Sequence, residues 1–327
     1  MKPTVFIHTS CHEILAARVA MYSHLRISKN TDKFDIKLIE LEDYPFMLKY
    51  HGSKFIRNKR EAGWYKDVPQ SFLPLRFLVP QLMGYEGRAV LTDPDIFAVS
   101  DIYELLTRPM NDKAILSSPL NNNLKGYNSS VMLLDCQKLK HWQWEKHIAQ
   151  MFDKKRDLQT WLTLETEPEA TIGSLEEEWN HYDTLNENTK LLHNTKQRTQ
   201  PWKTGMPYIE QNLDNRVKRD KNKNWFEKLR PFLNQNARKL VRATSNLVLY
   251  GEPAVYLKHS DRRQVELFFA LLKEALDDNY ISPSLIEAEI RLGHIRPDIF
   301  KVLKSTNKSV EEVLDSVRQK SRETIAV

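Results

Sequence analysis

The hydrophobic pattern of the first forty residues predicts a strand, a helix and a second strand. Residues 4–7 form a short apolar run that is typical of a buried strand. Residues 14–25 carry apolar side chains at helical spacing, and residues 34–41 mostly alternate between apolar and polar positions, as in a half-exposed strand. This order of elements is typical of an α/β fold that is built on a parallel sheet.

Further short elements follow up to about residue 208. Residues 42–70 are polar and aromatic and indicate a long loop, whereas the apolar residues 71–83 predict a helix despite Pro74 and Pro80. Apolar runs and helical spacing predict six more elements. They are strands at 89–91, 114–117, 130–135 and 191–193, and helices at 102–106 and 138–152.

The pattern changes from about residue 209 onward. Amphipathic spacing predicts helices at 262–276, 283–292 and 310–321. We therefore expect an α/β domain over residues 1–208 that carries the activity, followed by a basic and helical region over residues 209–327.

The charge of the chain is concentrated in one segment. The whole chain has a formal net charge of +6, whereas residues 216–242 hold ten Lys and Arg against two acidic residues, a local charge of +8. A solvated basic helix packed on the catalytic domain is the favoured interpretation. A helix lying on anionic lipid is the second, and a nucleic-acid or anionic-glycan surface is the least favoured.

The composition excludes several classes of protein. At 41% hydrophobic residues the chain can bury a sizeable core and is not a disordered polymer. With nine glycines it contains neither GxGxxG nor GxxxxGK[ST], so a nucleotide has to be held by other means. Two cysteines, Cys11 and Cys136, are typical of a protein from a reducing compartment, and the sequence leaves open whether they form one disulfide. With no apolar run of 18 residues and no signal peptide, we expect a cytoplasmic protein.

Two carboxylates at the end of a predicted strand are the first candidate for chemistry. Asp93 and Asp95 flank Pro94 directly after the apolar run AVLT. In an extended backbone, which Pro94 favours for the residue before it, both side chains lie on one face. Two such carboxylates repel each other unless a cation lies between them, and Mg²⁺ or Mn²⁺ with phosphate oxygens fits this role. Chance also produces such tripeptides, so the position at a strand end carries most of the weight.

Three blocks in sequence order resemble one family. They are SFLPLRFLVPQLMGYEGRAVLTDPDIFAVSDIYELL at 71–106, YNSSVMLLDC at 127–136, and EEEWNHYD followed by LLHNTKQRTQPWKTG within 176–205. Together they resemble the donor-site segments of GT-A fold glycosyltransferases, especially family 8, the glycogenin-like and bacterial galactosyltransferase group. The resemblance ends before residue 209.

The chain departs from the family pattern at several positions. Asn128-Ser129-Ser130 stands where the family has Asn-Ala-Gly. Lys196 replaces a glycine, and Gln200 replaces the lysine that precedes Pro-Trp. The position of the family's phosphate-binding lysine is therefore not occupied by a lysine in this chain, and Lys196, Arg198 or Lys203 could supply the charge instead. The chain resembles the family as an outlying relative.

The resemblance implies a GT-A fold and a nucleotide-sugar donor, with UDP as the expected nucleotide. It makes Asp93, Asp95 and His193 the ligands of Mn²⁺ or Mg²⁺, whose charge stabilises the departing diphosphate. Arg76 aligns with a basic family residue that reaches the phosphates and the donor sugar. Transfer is expected with retention of the anomeric configuration, and no protein carboxylate stands out as a nucleophile.

The resemblance also implies further donor contacts. It assigns the turn with Thr9 and Ser10 to the base and ribose, and His8 or His12 could stack on the base. Asn128 and Asp157 are expected at the sugar pocket, with Asp157 also a candidate for catalysis. Each of these residues also has an ordinary structural interpretation, such as a turn, a helix start or a core position.

The sequence thus predicts a metal-dependent hexosyltransferase that acts on an unknown acceptor, which could be a glycan, a lipid or a small molecule. Two alternatives remain open. One is a phosphohydrolase of the haloacid dehalogenase type, which also uses D-x-D after a strand. The other is a nucleotide-sugar-binding scaffold without turnover. Peripheral membrane contact through residues 216–242 is a further expectation, and a nucleic-acid partner is not expected.

Overall fold

A computed structural model describes residues 2–120, 125–207 and 255–325. Its β-strands form one large sheet and two small ones. In chain order the strands are β1 (Thr4–Thr9), β2 (Asp35–Glu40), β3 (Lys54–Arg57), β4 (Arg60–Gly63), β5 (Arg88–Thr92), β6 (Ile96–Ala98), β7 (Ile115–Ser117), β8 (Val131–Asp135), β9 (Ile172–Ser174), β10 (His181–Tyr182) and β11 (Leu191–His193).

The central sheet has six strands in the order β2-β1-β5-β8-β7-β9. β1 runs parallel to both β2 and β5, and β7 runs parallel to β9. β8 is antiparallel to its two neighbours, β5 and β7. The carboxyl ends of β1 and β5 therefore meet at one edge of the sheet, the edge where parallel α/β sheets commonly bind ligands.

A small sheet brings a distant part of the chain to that edge. β11 pairs antiparallel with β6, and this register places His193 opposite Ile96. The pairing continues past β11, because the backbone N–H of Asn194 donates to the carbonyl oxygen of Asp95 at 3.0 Å. An imidazole about a hundred residues away in sequence is thus fixed beside the acidic strand tip.

The helices cover the sheet and build the C-terminal region. In chain order they are α1 (Ile14–Ile27), α2 (Pro45–Leu48), α3 (Val79–Leu82), α4 (Ile102–Leu106), α5 (Trp144–Phe152), α6 (Leu158–Leu162), α7 (Arg262–Asp277), α8 (Pro283–Leu292), α9 (Ile299–Lys304) and α10 (Val310–Ile325). Every helix among the described residues is too short or too polar to cross a bilayer.

The C-terminal helices share a hydrophobic core with α1. Leu15 and Val19 of α1 lie in the same buried cluster as Phe268 and Leu271 of α7. Polar contacts close the rim of this interface, where the Tyr22 hydroxyl donates to Asp278 at 2.6 Å. Burial of this apolar surface is the main force that holds the C-terminal helices against the α/β part.

The predicted α/β architecture is confirmed, with a mostly parallel central sheet and helices at the C-terminal end. α8 begins and ends where the amphipathic pattern predicts. The single helix predicted over residues 71–83 is wrong, because Leu73–Leu78 is a 3₁₀ helix and only Val79–Leu82 is α-helical. Pro74 and Pro80 explain the difference, since each lacks the N–H that a continuous α-helix requires.

Two other expectations change. Residues 42–70 are not one long loop, because they contain α2 and the antiparallel hairpin of β3 and β4. The helix expected over residues 138–152 is α-helical only from Trp144. Cys11 is exposed and Cys136 is buried, and both are free thiols, so the bridge left open by the sequence is not formed.

The predicted boundary near residue 208 falls where the described part of the chain pauses, between 207 and 255. The basic segment 216–242 lies outside the described residues. The division into two domains stays a prediction, and what the structure adds is the shared core between α1 and the C-terminal helices.

A buried histidine in α1 predicts acid sensitivity. Burial lowers the pKa of His24 from 6.5 to about 4, and neither ring nitrogen has a hydrogen-bond partner among the described residues. Between pH 6.5 and pH 4, His24 is therefore protonated in the unfolded chain and neutral in the folded protein. The free energy of unfolding should therefore decrease by about 3 kcal/mol across this window.

Chemical denaturation at a series of pH values measures this loss. His24→Leu should remove that part of the decrease, whereas His141→Leu, at an exposed histidine, should keep it. Equal pH slopes for the wild type and His24→Leu would contradict the assignment.

Candidate functional site

A polar cleft of about 380 Å³ opens at the carboxyl edge of the central sheet. Its floor carries the residues that directly follow β5, including Asp93 and Asp95. Side chains from β11, from the 3₁₀ helix Leu73–Leu78 and from the segment before β8 complete the wall. The polar residues that line it are Glu13, Arg57, Gln70, Arg76, Asp93, Asp95, Tyr127, Asn128, Ser129, Ser130, Gln159, Thr163, Tyr182, His193, Thr195 and Gln200.

Asp93 is held by two basic side chains. Arg76 donates from Nη2 to both carboxylate oxygens, at 2.7 and 2.5 Å. The fully buried His8 donates from Nε2 to Oδ1 at 2.7 Å. Burial by itself raises the pKa of Asp93, but the Arg76 charge and the His8 hydrogen bond outweigh it, so this pKa is lowered. Asp93 is thus kept ionised in a nearly dry position.

Arg76 is itself oriented by a neighbouring hydroxyl. Its Nη1 donates to Ser129 Oγ at 2.8 Å, and the Ser129 hydroxyl donates to the carbonyl oxygen of Leu162 at 2.6 Å. The guanidinium therefore spans Asp93 and the segment before β8. Ser129 is one of the two positions where the chain departs from the family's Ala-Gly, and here that departure serves to position Arg76.

Asp95 faces a ring nitrogen of His193. His193 Nδ1 donates to Asn180 Oδ1 at 2.8 Å, so Nδ1 carries a proton. His193 Nε2 faces Asp95 Oδ1, 3.3 Å away. These two atoms repel each other unless a proton on Nε2 or a metal cation lies between them.

A polar chain fixes the orientation of Asn180. Its amide nitrogen donates to Ser130 Oγ at 2.9 Å, and the Ser130 hydroxyl donates to Asn128 Oδ1 at 2.6 Å. The amide oxygen is thereby left to accept from His193. Asn180 is 3% exposed, so solvent does not compete for these bonds.

These three side chains fit a divalent cation. One potential ligand atom from each of Asp93, Asp95 and His193 lies within 4.8 Å of the other two. Two carboxylates and a neutral imidazole suit Mn²⁺ or a similar ion. The Nδ1 bond to Asn180 is the kind of outer contact that orients a ligating histidine. The donor set thus matches the metal ligands that the family resemblance implies.

A second buried ion pair borders the cleft. Lys203 donates from Nζ to Glu13, and both side chains are nearly inaccessible to solvent. Glu13 lines the cleft, whereas Lys203 does not. The Lys203 charge is therefore already neutralised within the protein, which lowers its value as a partner for phosphate.

The structure brings together one part of the predicted site. Asp93, Asp95, His193, Arg76 and Asn128 all line the cleft. Lys196 is exposed and does not line the cleft, and its backbone N–H donates to Asp183.

Other predicted residues are used elsewhere. His8, Thr9 and Ser10 are completely buried and do not line the cleft, so His8 cannot stack on a base from its position under Asp93. Asp157 caps α6 by accepting from Gln159 N, and it also accepts from the backbone N–H groups of Asn58 and Lys59. Its carboxylate therefore serves a structural role, and Gln159 lines the cleft instead.

Several cleft residues were missed at the sequence level. Gln200 donates to Asp95 Oδ2 at 3.4 Å, and the Tyr182 ring lies 5.0 Å from the His193 ring. Glu13 and Ser129 were missed for the same reason, which is that their partners lie far away in sequence. Two of these residues carried a signal in the sequence, because Ser129 and Gln200 already stood out as departures from the family pattern.

Comparison with solved structures finds partial similarity to glycosyltransferases. The glycosyltransferase GlyE of Streptococcus pneumoniae matches with 16% identity and a TM-score of 0.45, over 62% of this chain and 56% of that one. Mouse xyloside xylosyltransferase 1 in its apo form matches with 14% identity and a TM-score of 0.40, over 60% and 98%. The galactosyltransferase LgtC, solved with donor and acceptor sugar analogues, matches with 11% identity and a TM-score of 0.43, over 61% and 89%.

These scores describe a limited likeness of the backbone. The chain spans little more than half the length of GlyE. No protein-family profile matches the chain, and no curated protein sequence matches it significantly.

The Arg76–Asp93 pair predicts a strong stability effect. Arg76→Met should lower the free energy of unfolding by about 3 kcal/mol, because it leaves a nearly buried carboxylate without its cation. Urea denaturation at neutral pH measures this change. Combining Arg76→Met with Asp93→Asn should recover more than half of the loss. The two residues are not coupled if Asp93→Asn lowers the free energy of unfolding by the same amount in the Arg76→Met background as in the wild type.

Proposed function

We propose that the protein is a metal-dependent glycosyltransferase that transfers a hexose from a nucleotide sugar, with a UDP-sugar as the expected donor. The observation that carries this proposal is the convergence of Asp93, Asp95 and His193, each of which offers a ligand atom within 4.8 Å of the other two. A divalent cation would be held by all three at the edge of the sheet where α/β proteins bind nucleotides.

Asp93, Asp95 and His193 would hold the divalent ion. When bound, the ion supplies positive charge to the diphosphate that leaves the sugar. Arg76 keeps Asp93 ionised and fixed in place, so the chain presents this acid ready for coordination. Asn180 does the same for His193 by holding the proton on Nδ1.

The cations of the cleft suggest how the phosphates are bound. Among the described residues, the basic side chains that line it are those of Arg57, Arg76 and His193. Arg57 Nη1 donates to Gln70 Oε1 at 3.2 Å, which directs it along the cleft wall. We assign to Arg57 the phosphate-binding charge that the family's lysine supplies, because Arg57 lines the cleft and the three candidates from the sequence, Lys196, Arg198 and Lys203, do not.

The carboxylates of the cleft favour transfer without a protein nucleophile. Among the described residues that line the cleft, the acids are Glu13, Asp93 and Asp95. Glu13 is paired with Lys203, and the other two belong to the proposed metal site. This distribution supports attack on the leaving-group face, with a phosphate oxygen assisting deprotonation of the acceptor and with retention of configuration.

The phosphohydrolase alternative is disfavoured by the position of the acid pair. That class normally carries its pair after the first strand. Here the pair follows the third strand of the sheet to appear in sequence, counting β1 and β2 before β5.

The acceptor is proposed only as a hydroxyl-bearing glycan, lipid or small molecule. Residues 216–242, which could contact a membrane surface, lie outside the described residues. A cytoplasmic location and peripheral membrane contact stay predictions.

Calorimetry and a product assay together test the proposal. UDP should bind in the presence of Mn²⁺ and bind far more weakly after chelation, and UDP-sugars should release UDP slowly by hydrolysis without an acceptor. If UDP-sugars bind but no UDP is released with any acceptor, the scaffold alternative replaces the transferase. If none of UDP, GDP and CDP binds in a metal-dependent way, both the transferase and the scaffold hypotheses are wrong. A thermal-shift screen of nucleotide sugars with and without Mn²⁺ selects the donor.

Removing one proposed ligand should abolish metal-dependent binding. We expect Asp95→Ala to lose the Mn²⁺-dependent part of UDP affinity, because the ion loses a charged ligand. Asp153→Ala is a matched control, since Asp153 is exposed and lies outside the cleft. Unchanged UDP affinity of Asp95→Ala at saturating Mn²⁺ would refute the metal assignment.

The support of His193 can be tested separately. Asn180→Leu should weaken Mn²⁺ binding by about 10–100-fold, as loss of an outer-shell partner typically does. Asn180→Asp keeps the oxygen that accepts from Nδ1 and should stay close to wild-type affinity. Electron paramagnetic resonance of free Mn²⁺ measures both constants. Equal losses in the two variants would point to a general packing defect instead.

A further inference from the structure

A second group of metal-binding side chains lies where the first strand meets the C-terminal helices. Cys11 and His12 belong to the 3₁₀ helix Cys11–Glu13 that follows β1, and His294 follows α8. One potential ligand atom from each lies within 4.8 Å of the other two. Cys11 is exposed and both histidines are partly exposed, so an ion from solvent can reach them.

The spacing suits a small ion with thiolate and imidazole ligands. Cys11 Sγ lies 3.3 Å from His12 Nδ1, and the His12 and His294 rings are 4.7 Å apart between centroids. In a tetrahedral zinc site with Zn–S of about 2.3 Å and Zn–N of about 2.0 Å, sulfur and nitrogen lie roughly 3.5 Å apart. The observed separation of Cys11 Sγ and His12 Nδ1 is close to that value.

His294 is oriented as a metal ligand. Its Nδ1 donates to Glu289 Oε2 at 2.9 Å, so in the neutral ring the lone pair is on Nε2. A carboxylate that holds the other ring nitrogen is the usual outer partner of a zinc-bound histidine. Gly293 adopts φ +74° at the end of α8, and this turn brings the His294 backbone N–H to Glu289 O at 3.0 Å.

The surrounding charges favour a cation. Glu42 accepts from the backbone N–H of Cys11 at 3.0 Å. Glu289 accepts from His294, so two carboxylates border the three side chains. Negative charge at this distance favours the binding of a divalent ion.

We propose that Cys11, His12 and His294 bind a thiophilic divalent ion of the Zn²⁺ type, at a site separate from that of Asp93, Asp95 and His193. A thiolate ligand selects such an ion over Mg²⁺ or Mn²⁺. Glu42 or a water molecule completes the fourth position. The bound ion ties the loop after β1 to the turn after α8, and so ties the α/β part to the C-terminal helices.

Cobalt reports on this site directly. A Co²⁺–thiolate bond gives an intense near-ultraviolet absorption that oxygen and nitrogen ligands do not give. Full-length protein titrated with Co²⁺ should develop this band, and Zn²⁺ should displace it. Cys11→Ala should abolish the band, whereas Cys136→Ala, which removes the other cysteine, should keep it. Asp95→Ala should keep it too, so failure of the donor site and failure of this site are distinguishable.

Thiol reactivity gives a second readout. Zn²⁺ should slow alkylation of Cys11 by iodoacetamide at least tenfold in the wild type and less than twofold in His294→Ala, because loss of a ligand weakens the site. Glu289→Gln should weaken Zn²⁺ binding by about tenfold, as loss of an outer-shell partner does. Absence of the cobalt band, or protection that is undiminished in His294→Ala, would overturn the proposal.

Discussion

The opposition of Asp95 and His193 is the constraint around which the cleft is organised. A carboxylate oxygen and an imidazole nitrogen 3.3 Å apart are stable only with a proton or a metal cation between them. Their approach depends on the antiparallel pairing of β11 with β6, since the register sets His193 opposite Ile96, one residue beyond Asp95. The hydrogen bond from His193 to Asn180 then decides which nitrogen faces the acid. A backbone register and one amide together set the geometry of the proposed cation site.

Two other charged side chains of the cleft, Asp93 and Glu13, form ion pairs within the protein. Arg76 neutralises Asp93, and Lys203 neutralises Glu13, with all four side chains nearly buried. Buried pairs of this kind contribute little net stability, but they are costly to break, so they hold each group in one position. One consequence is that Lys203 is not free to meet a phosphate. Arg57 of the β3–β4 hairpin lines the cleft, and it is the residue that we propose for the phosphates.

The C-terminal helices support the cleft indirectly, through α1 and the central sheet. They pack on α1 through a shared apolar core, and α1 in turn packs on the sheet that presents the acids. The turn after α8 carries His294 to the residues that directly follow β1. The proposed second metal site and the proposed donor site therefore lie at the ends of neighbouring parallel strands, and each joins segments that are distant in the sequence.

Local periodicity determined much of the fold. The alternation of strands and helices, the bounds of α8, and the position of an acid pair at the tip of a buried strand all follow from patterns a few residues long. Tertiary structure decided the rest, because it depends on which distant groups meet. His8 lies under Asp93, Lys203 pairs with Glu13, and Asp157 caps a helix while binding the turn of a hairpin. A side chain's type predicts what it can bind, but its partners are set by strand register and packing.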